Sequence, residues 1–366
     1  MNTILALDIG TEYVKAVLAR PKKSTLEIIG VGHAKQSSGS MHNGAISDIP
    51  AVVATCEKAL LTAEEEAKET AKLAVVGIAG ELVKGNTTTV RYTRATPNKP
   101  ISDSEMDEII KKVQQKSGEV AKKTIALETG NDNVEVRLIN SAIVSLTIDG
   151  YKISNPIGFK GSEVIIQFYT AFAPLIHIAA IEKVCAELNL DLLTVAVEPF
   201  AVCRAYLGDN LDSNFSGLII DIGGGNTDLA ILDDGGINGT KTFAIGARHA
   251  DKNPEVWLSG IEVALEELNL DTLPRNIYLC GGGADSASIG EALAISDWYK
   301  NLPFSRRPLV NISDIATLPD LAVKTKADLD YTFVTAIGLL RVGTDTLMSS
   351  PESDGLRAKL SKLLQK

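Results

Sequence analysis

Two aspartates that each precede a glycine-rich turn are the residues best suited to chemistry. Asp8 begins the run Asp-Ile-Gly-Thr, and Asp221 begins the run Asp-Ile-Gly-Gly-Gly-Asn-Thr. Carboxylates hold Mg²⁺ directly or through its waters, and glycines let backbone N–H groups come close to an anion. The two runs therefore predict a site for phosphate and Mg²⁺. Lys15, after the first turn, would supply a positive charge to the phosphates.

A third glycine turn, Gly281-Gly282-Gly283, follows the apolar segment 276–280 and is predicted to lie against a base or ribose. Alone, such a turn is as often a tight connection between elements as a binding site. Neither Asp-Ile-Gly turn matches a Walker P-loop or the G-x-G-x-x-G fingerprint, so the pattern excludes those two nucleotide-binding folds.

The two Asp-Ile-Gly turns belong to an internal repeat. Residues 5–10 (Leu-Ala-Leu-Asp-Ile-Gly) recur as residues 218–223 (Leu-Ile-Ile-Asp-Ile-Gly). A second apolar strand follows each copy, at 13–19 and at 227–232. Each half of the chain thus opens with a strand, a turn and a strand, which predicts a duplicated fold with a cleft between its halves.

The elements that must position these turns alternate between short apolar strands and longer amphipathic helices, as in an α/β fold. In the first half we predict a strand over 26–35 and a helix over 51–72, whose Glu64–Glu66 run forms a solvated face. The stretch 81–163 is more polar, and capping-box spacing predicts that a helix starts there at Ser102. This stretch is predicted to be an inserted α+β module.

Composition narrows the classes of function. The chain has 366 residues, 45% of them hydrophobic, with a formal net charge of −10, which excludes a general nucleic-acid binder. Its four cysteines show no Cys-x-x-Cys spacing, which argues against a disulfide framework or a zinc site. The uncharged stretch 164–181 is divided by Pro174 and is predicted as a strand followed by a helix rather than a membrane span. With no signal-peptide pattern at the start, we expect a cytoplasmic protein.

These motifs resemble those of the actin–Hsp70–sugar kinase superfamily. The runs after Asp8 and Asp221 look like its two phosphate loops, the third glycine turn looks like its adenosine motif, and Glu198-Pro199-Phe200-Ala201 looks like the helix start that positions the attacking water. The resemblance implies ATP and Mg²⁺ as ligands, with Asp8 and Asp221 as metal-binding and catalytic residues and Glu198 as the water-orienting one. The implied nucleotide-binding residues are Gly10, Thr11, Lys15, Gly223, Gly224, Gly225, Asn226, Thr227, Gly281, Gly282 and Gly283.

Within the superfamily the chain resembles FtsA, the bacterial actin-like cell-division protein. Residues 76–84 are similar to the start of the family's inserted module, residues 149–161 (with Asn-Pro-Ile-Gly-Phe-Lys-Gly) to its end, and residues 335–340 to its second connecting helix. The resemblance implies an actin-like (ribonuclease H-like) duplicated fold with a 1C-type α+β module. One departure is clear. Only residues 247–279 stand where the family inserts its 2B subdomain, which covers the adenine and docks the tail of FtsZ.

The resemblance divides the chain into four parts. Residues 1–80 and 164–206 form the first half (1A), residues 81–163 the 1C-type module, and residues 207–348 the second half (2A, with 2B reduced to 247–279). Residues 349–366 form a linker and a basic amphipathic helix. Its apolar stripe is Leu356, Leu360, Leu363 and Leu364, and its basic residues include Arg357, Lys359 and Lys362. This helix is predicted to bind an anionic membrane; the alternative is a solvated helix docked on its own domain.

The predicted function is an FtsA-like adaptor that tethers division or cytoskeletal machinery to the inner face of the cell membrane. It would be peripheral on that membrane, would self-associate, and would be at most a weak ATPase. The shortened 2B segment removes the surface that docks FtsZ in the family, so that partner is not carried over. Two alternatives stay open: a PilM-like scaffold of type IV pilus assembly, and a nucleotide-free pseudo-ATPase scaffold. A sugar or metabolite kinase is disfavoured because no substrate-binding lobe is seen.

Overall fold

A computed structural model describes residues 3–22, 25–153, 155–208 and 213–348. The strands are β1 Ile4–Ile9, β2 Tyr13–Lys22, β3 Thr25–Lys35, β4 Met41–His42, β5 Ala45–Ile46, β6 Leu73–Ile78, β7 Lys84–Thr93, β8 Val136–Ile148, β9 Tyr151–Lys152, β10 Glu163–Pro174, β11 Asp191–Val197, β12 Gly217–Ile222, β13 Thr227–Asp233, β14 Gly236–Phe243, β15 Asn276–Cys280, β16 Leu309–Ile312 and β17 Leu321–Val323. The α-helices are α1 Ile49–Ala67, α2 Asp103–Thr129, α3 Leu175–Glu187, α4 Glu198–Leu207, α5 Ala247–Ala250, α6 Pro254–Glu267, α7 Ala287–Ile295 and α8 Val334–Met348. The predicted basic helix in 349–366 lies outside the described residues.

The two largest sheets repeat one topology, as the internal repeat predicts. The first sheet has the order β11-β6-β1-β2-β3-β17, and the second has the order β14-β13-β12-β15-β16. In each, the opening strand pairs antiparallel with the next strand, which pairs antiparallel with the third. On its other side the opening strand pairs with a parallel strand, β6 or β15. The predicted duplication is therefore confirmed strand by strand.

Helices α4 and α8 pack closely against each other. Gly338 of α8 makes this approach feasible, because a Cβ there would overlap the carbonyl oxygen of Ala201 in α4. Apolar side chains of α8, among them Ile337 and Leu340, are buried in the same core as β1 and β6. Val334 begins α8 directly after the 3-10 turn Tyr331–Phe333, whose Thr332 and Phe333 line the cleft described below.

A third sheet, with the order β7-β10-β8-β9, lies in the predicted inserted module and is covered on one face by α2. The predicted end of the module at residue 163 is too early, because β10 continues to Pro174 and pairs along its length with β7 and β8. Helix α2 begins after Ser102, as predicted, and the Glu105 N–H donates to the Ser102 hydroxyl at 3.2 Å. The Glu105 carboxylate accepts two hydrogen bonds of 2.8 Å from the buried guanidinium of Arg94. Arg94 also donates to the carbonyl oxygen of Gly161 at 3.0 Å. Through Arg94, the segment 155–161 at the end of the module is thus linked to the first turn of helix α2.

The same module also bonds to the second half of the chain. The Thr87 hydroxyl of β7 donates to the carbonyl oxygen of Ile237 in β14 at 2.7 Å. The Tyr169 hydroxyl of β10 lies 3.0 Å from that of Thr240, again in β14. A further ion pair joins Lys152 to Asp234 at 2.6 Å. The module therefore belongs by chain connection to the first half and touches the second.

Two predictions for the first half need correction. Helix α1 ends at Ala67 rather than at residue 72, because Lys68 takes the left-handed conformation with φ 57°. Glu66 is not part of a merely solvated face. Its carboxylate accepts hydrogen bonds from the backbone N–H groups of Val31 (2.9 Å), Lys326 (3.0 Å) and Ala327 (3.2 Å). Glu66 therefore ties α1 to β3 and to the segment that leads into α8.

The stretch 164–181 folds as predicted, with β10 ending at Pro174 and α3 starting at Leu175. Within the described ranges, the helices are all too short or too polar to cross a membrane. In the shortened segment 247–279, the structure contains α5 and α6, a connection and the start of β15. Trp257, Leu258 and Ile261 of α6 are buried against the second sheet.

Candidate functional site

The two Asp-Ile-Gly turns have the same local structure and face each other. The Gly10 N–H donates to the carbonyl oxygen of Tyr13 at 3.1 Å, and the Gly223 N–H donates to that of Asn226 at 2.9 Å. Each turn is thus closed by the same i-to-i+3 hydrogen bond. A Cβ added at Gly224 would lie 3.0 Å from the Cβ of Glu12, so the first turn and the second are in near contact. A cleft of about 1020 Å³ opens between them.

Most of the residues that sequence analysis selected line this cleft. They are Asp8, Gly10, Thr11, Lys15, Glu198, Asp221, Gly223, Gly224, Asn226, Gly281 and Gly282. Gly225, Thr227 and Gly283 do not. The Thr227 hydroxyl donates to the carbonyl oxygen of Ile245 at 2.7 Å and accepts from the Trp257 indole at 2.9 Å, so its side chain is not directed at a ligand. Gly283 packs against Ile222.

Lys15 and Asp8 form a partly buried ion pair in the first half of the cleft. They are direct cross-strand partners in β1 and β2, and Lys15 Nζ lies 3.0 Å from Asp8 Oδ2. Burial by itself would lower the pKa of Lys15, but the nearby carboxylates of Asp8, Asp221 and Glu198 raise it above its ordinary value. Lys15 therefore carries a fixed positive charge inside the cleft, where a phosphate would need one.

Asp221 occupies the corresponding place in the second half. Burial raises its pKa, and the Thr335 hydroxyl of α8, which donates to Asp221 Oδ2, acts in the opposite direction. Gly281 lies directly against this carboxylate, with φ +80°, and a Cβ there would overlap Asp221 Oδ1. The third glycine turn can lie beside the second Asp-Ile-Gly turn because only glycine fits this close approach.

Asp228 is a cleft residue that sequence analysis missed. It is the cross-strand partner of Asp221, and its carboxylate accepts hydrogen bonds from Asn226 Nδ2 (2.9 Å) and from the Thr242 hydroxyl. Burial and the neighbouring charge of Asp221 raise the pKa of Asp228 to about 8. The internal repeat offered a signal for it, because residue 228 corresponds to the already selected residue 15.

Glu198 begins α4 and points into the same cleft. A Cβ added at Gly77 would lie 2.8 Å from Glu198 Oε1, so the glycine in the predicted module start makes room for this carboxylate. Burial, reinforced by the charges of Asp8, Asp228 and Asp221, raises the pKa of Glu198 well above its ordinary value. The nearby ammonium group of Lys15 acts in the opposite direction but is outweighed, so the side chain of Glu198 favours its protonated form.

The charge balance of the cleft favours a cation with an anionic ligand. Three buried carboxyl groups (Asp8, Asp221 and Asp228) and the half-buried Glu198 are accompanied by the ammonium group of Lys15, whose side chain is 16% exposed. Among the described residues the buried Thr11 hydroxyl has no hydrogen-bond partner, and it lies beside Gly225 of the second turn. In the part of the chain that the structure describes, no cluster of three or more Asp, Glu, His or Cys side chains could by itself hold a metal. Mg²⁺ uses one or two carboxylates together with waters and phosphate oxygens, and Asp8 and Asp221 would be those carboxylates here.

Comparison with known proteins shows what the chain resembles. No family model matches it. It is 26% identical to the cell division protein FtsA of Enterococcus faecalis over 258 residues, 70% of this chain and 54% of that protein. For FtsA of Bacillus subtilis the values are 23% over 268 residues, 72% of this chain and 56% of that protein. A chain of a solved PilM–PilN type IV pilus biogenesis complex has a TM-score of 0.64 at 16% identity, covering 93% of this chain and 98% of that one. The chain is similar in sequence to FtsA and has the actin-like ATPase fold.

The predicted family resemblance and fold class are thus confirmed. The chain spans about half the length of the curated relatives it matches. Among the described residues, helix α6, which occupies the predicted 2B segment, contributes nothing to the cleft lining. The lining does include the third glycine turn and the segment before α8, with Asp330, Thr332 and Phe333.

Proposed function

We propose that this FtsA-like protein binds ATP with Mg²⁺ in the cleft and acts as an adaptor of the cell-division or cytoskeletal machinery. The observation that carries the nucleotide part is the pair of facing Asp-Ile-Gly turns, closed by equivalent hydrogen bonds, around a carboxylate-rich cleft that also contains the largely buried Lys15. ATP·Mg²⁺ would supply the cation that the carboxylates need and the anion that Lys15 and the Thr11 hydroxyl can bind.

In this proposal Asp8 and Asp221 hold Mg²⁺, directly or through its waters. The backbone N–H groups of the two turns, with Thr11 and Lys15, hold the phosphates. Gly281 and Gly282 line the side of the cleft on which the adenosine would lie. Lys15 leaves Asp8 at least in part, because a phosphate competes for the ammonium group while Mg²⁺ competes for the carboxylate.

Hydrolysis would be slow at most. Glu198 is placed to orient a water molecule, but its raised pKa makes it a weak hydrogen-bond acceptor until a cation enters the cleft. Since α6 does not contribute to the cleft lining, it adds no contact that would fix the orientation of the adenine base. The nucleotide would then act mainly as a structural ligand of the adaptor.

Isothermal titration of the full chain with ATP and MgCl₂ tests the nucleotide proposal. Asp8→Asn and Asp221→Asn keep the shape of each side chain and remove one charge. Each is expected to weaken binding by about 10–100-fold, as for loss of a charged hydrogen-bonding group. Asp297→Asn is the matched control, because Asp297 pairs only with Lys300 at the surface. No binding by the unsubstituted chain at millimolar ATP would reject the proposal in favour of a nucleotide-free scaffold.

The adaptor part is supported by the names of the curated relatives, which are cell division proteins. Attachment to the membrane is proposed from the sequence of 356–366 alone, whose leucine stripe and basic residues suit an anionic bilayer. Co-sedimentation of the full chain, and of a chain that lacks 356–366, with anionic vesicles tests this attachment. Equal pelleting of the two chains would reject it. A peptide screen separates division from pilus partners, and binding only to an inner-membrane pilus peptide would favour the PilM-like alternative.

A further inference from the structure

A charged contact joins the two halves directly at the mouth of the cleft. Arg248, at the start of the short helix α5, reaches from the second half to Glu12 in the first turn. Its Nε donates to Glu12 Oε2 at 2.6 Å, and its Nη2 is paired with the same carboxylate. The same Nη2 lies 3.4 Å from the carbonyl oxygen of Thr11. The guanidinium therefore binds both the backbone and the side chain of the first turn.

The backbone of Arg248 is fixed to the second turn. Its N–H donates to the carbonyl oxygen of Gly224 at 3.3 Å, and the N–H of Ala247 donates to that of Gly223 at 2.8 Å. Gly246 lies so close to Gly223 and Gly225 that a Cβ there would overlap their backbone. The base of the arginine side chain thus moves with the second phosphate loop, while its guanidinium holds the first.

The charge state of Glu12 suits this contact. Partial burial alone would raise the pKa of its carboxyl, but Arg248 and then Lys35 lower it below its ordinary value. Lys35 Nζ lies 3.4 Å from the other carboxylate oxygen, Oε1. Lys35 and Glu12 both belong to the first half, so their ion pair does not cross the cleft. The chain therefore holds an internal control for the cross-cleft contact.

We infer that Glu12 and Arg248 form a latch that sets the distance between the two phosphate loops, which makes Arg248 a positioning residue of the cleft. Since neither side chain needs a nucleotide for this contact, the latch acts in the nucleotide-free protein. The inference does not depend on whether ATP binds. It goes beyond the proposed function by assigning loop spacing to a side-chain pair rather than to a ligand.

Distance measurements between spin labels on the two halves test the latch. Labels at Lys58→Cys in α1 and Ser259→Cys in α6 are exposed and lie on different halves. The four native cysteines are buried, and burial raises the pKa of Cys56 to about 12, which keeps that thiol unreactive toward the label. The measurement uses the full chain without nucleotide at low salt.

Arg248→Gln and Glu12→Gln are each expected to lengthen and broaden the distance distribution. The double variant should match either single one, because both remove the same contact. High salt should broaden the wild-type distribution and leave that of Arg248→Gln unchanged, because the pair is partly exposed. Lys35→Gln should leave the distribution as in the wild type. An unchanged distribution in Arg248→Gln would overturn the inference, and so would equal effects of Lys35→Gln and Arg248→Gln.

Discussion

Lys15 and Asp228 occupy the same position in the two halves of the molecule. Each is the direct cross-strand partner of the aspartate that precedes its glycine turn, Asp8 for Lys15 and Asp221 for Asp228. The first half therefore neutralises its own carboxylate, whereas the second half places two carboxylates side by side. The duplicated hairpins are alike in backbone and opposite in charge, which makes the second half the side that most needs a cation.

Asp228 should make the nucleotide-free protein less stable as the pH rises. Because its pKa is raised from 3.8 to about 8 on folding, the folded state keeps a proton that the unfolded chain loses, so stability falls as the pH rises across this window. Asp228→Asn is expected to raise the free energy of unfolding at pH 8 by at least about 1 kcal/mol and to change it little at pH 4. Urea unfolding in EDTA at both pH values measures this. Equal changes at the two pH values would contradict it. Because the pKa values of Glu198 and Asp221 are also raised, the free energy of unfolding of the variant should still fall as the pH rises, but less steeply than that of the wild type.

Binding of ATP·Mg²⁺ should release protons near neutral pH. The raised pKa values of Asp221, Asp228 and Glu198 mean that the cleft holds protons which a divalent cation displaces. Titrations at pH 7 in two buffers with different ionisation enthalpies should give a release of about one proton, and affinity should rise with pH. Asp228→Asn is expected to reduce this release. Identical apparent enthalpies in the two buffers would show that no proton leaves.

Thr335 should support metal binding through Asp221. Thr335→Val removes the hydroxyl that donates to Asp221 while keeping the volume of the side chain, and so raises the pKa of that carboxyl further. We expect affinity for ATP·Mg²⁺ to fall about 10-fold, with a larger loss at lower pH. Thr344→Val is the matched control, since Thr344 lies in the same helix and its hydroxyl donates to the carbonyl oxygen of Leu340. The idea fails if both variants bind equally well.

The contact between α4 and α8 should be intolerant of any side chain at Gly338. Gly338→Ala places a methyl group onto the carbonyl oxygen of Ala201 and should lower the free energy of unfolding by about 3 kcal/mol. Gly290→Ala, in α7, meets open space and should instead stabilise the protein by up to about 1 kcal/mol, because alanine favours a helix over glycine. Chemical denaturation compares the two variants. A loss of similar size in both would refute the steric explanation.

The regular elements and the two facing turns could be predicted because their signals are local. The Asp-Ile-Gly repeat predicts two equivalent hairpins, and Ser102 with Glu105 predicts the start of α2. Asp228 could also have been predicted as a cleft residue, because the offset that relates Asp8 to Asp221 also relates Lys15 to position 228. The exchange of lysine for aspartate concealed it, because the repeat keeps the position of this residue but reverses its charge.

Two other features have no local signal. Glu66 bonds to the backbone of Lys326 and Ala327, and Arg248 pairs with Glu12, so in both cases the partner is more than 200 residues away in the chain. A glutamate in a run of acidic residues and an arginine two positions after a glycine look like ordinary surface residues in sequence. Only the return of the chain to α8 and the closure of the cleft give them partners.

The hydrogen bonds of Thr87 and Tyr169 to β14 have a mechanical consequence. If a bound partner pulled the module's sheet away from the second half, the force would act on these hydrogen bonds and on the α4–α8 contact at the same time. The tension would be shared between two routes rather than carried by one hinge. The angle between the halves would therefore change little under load.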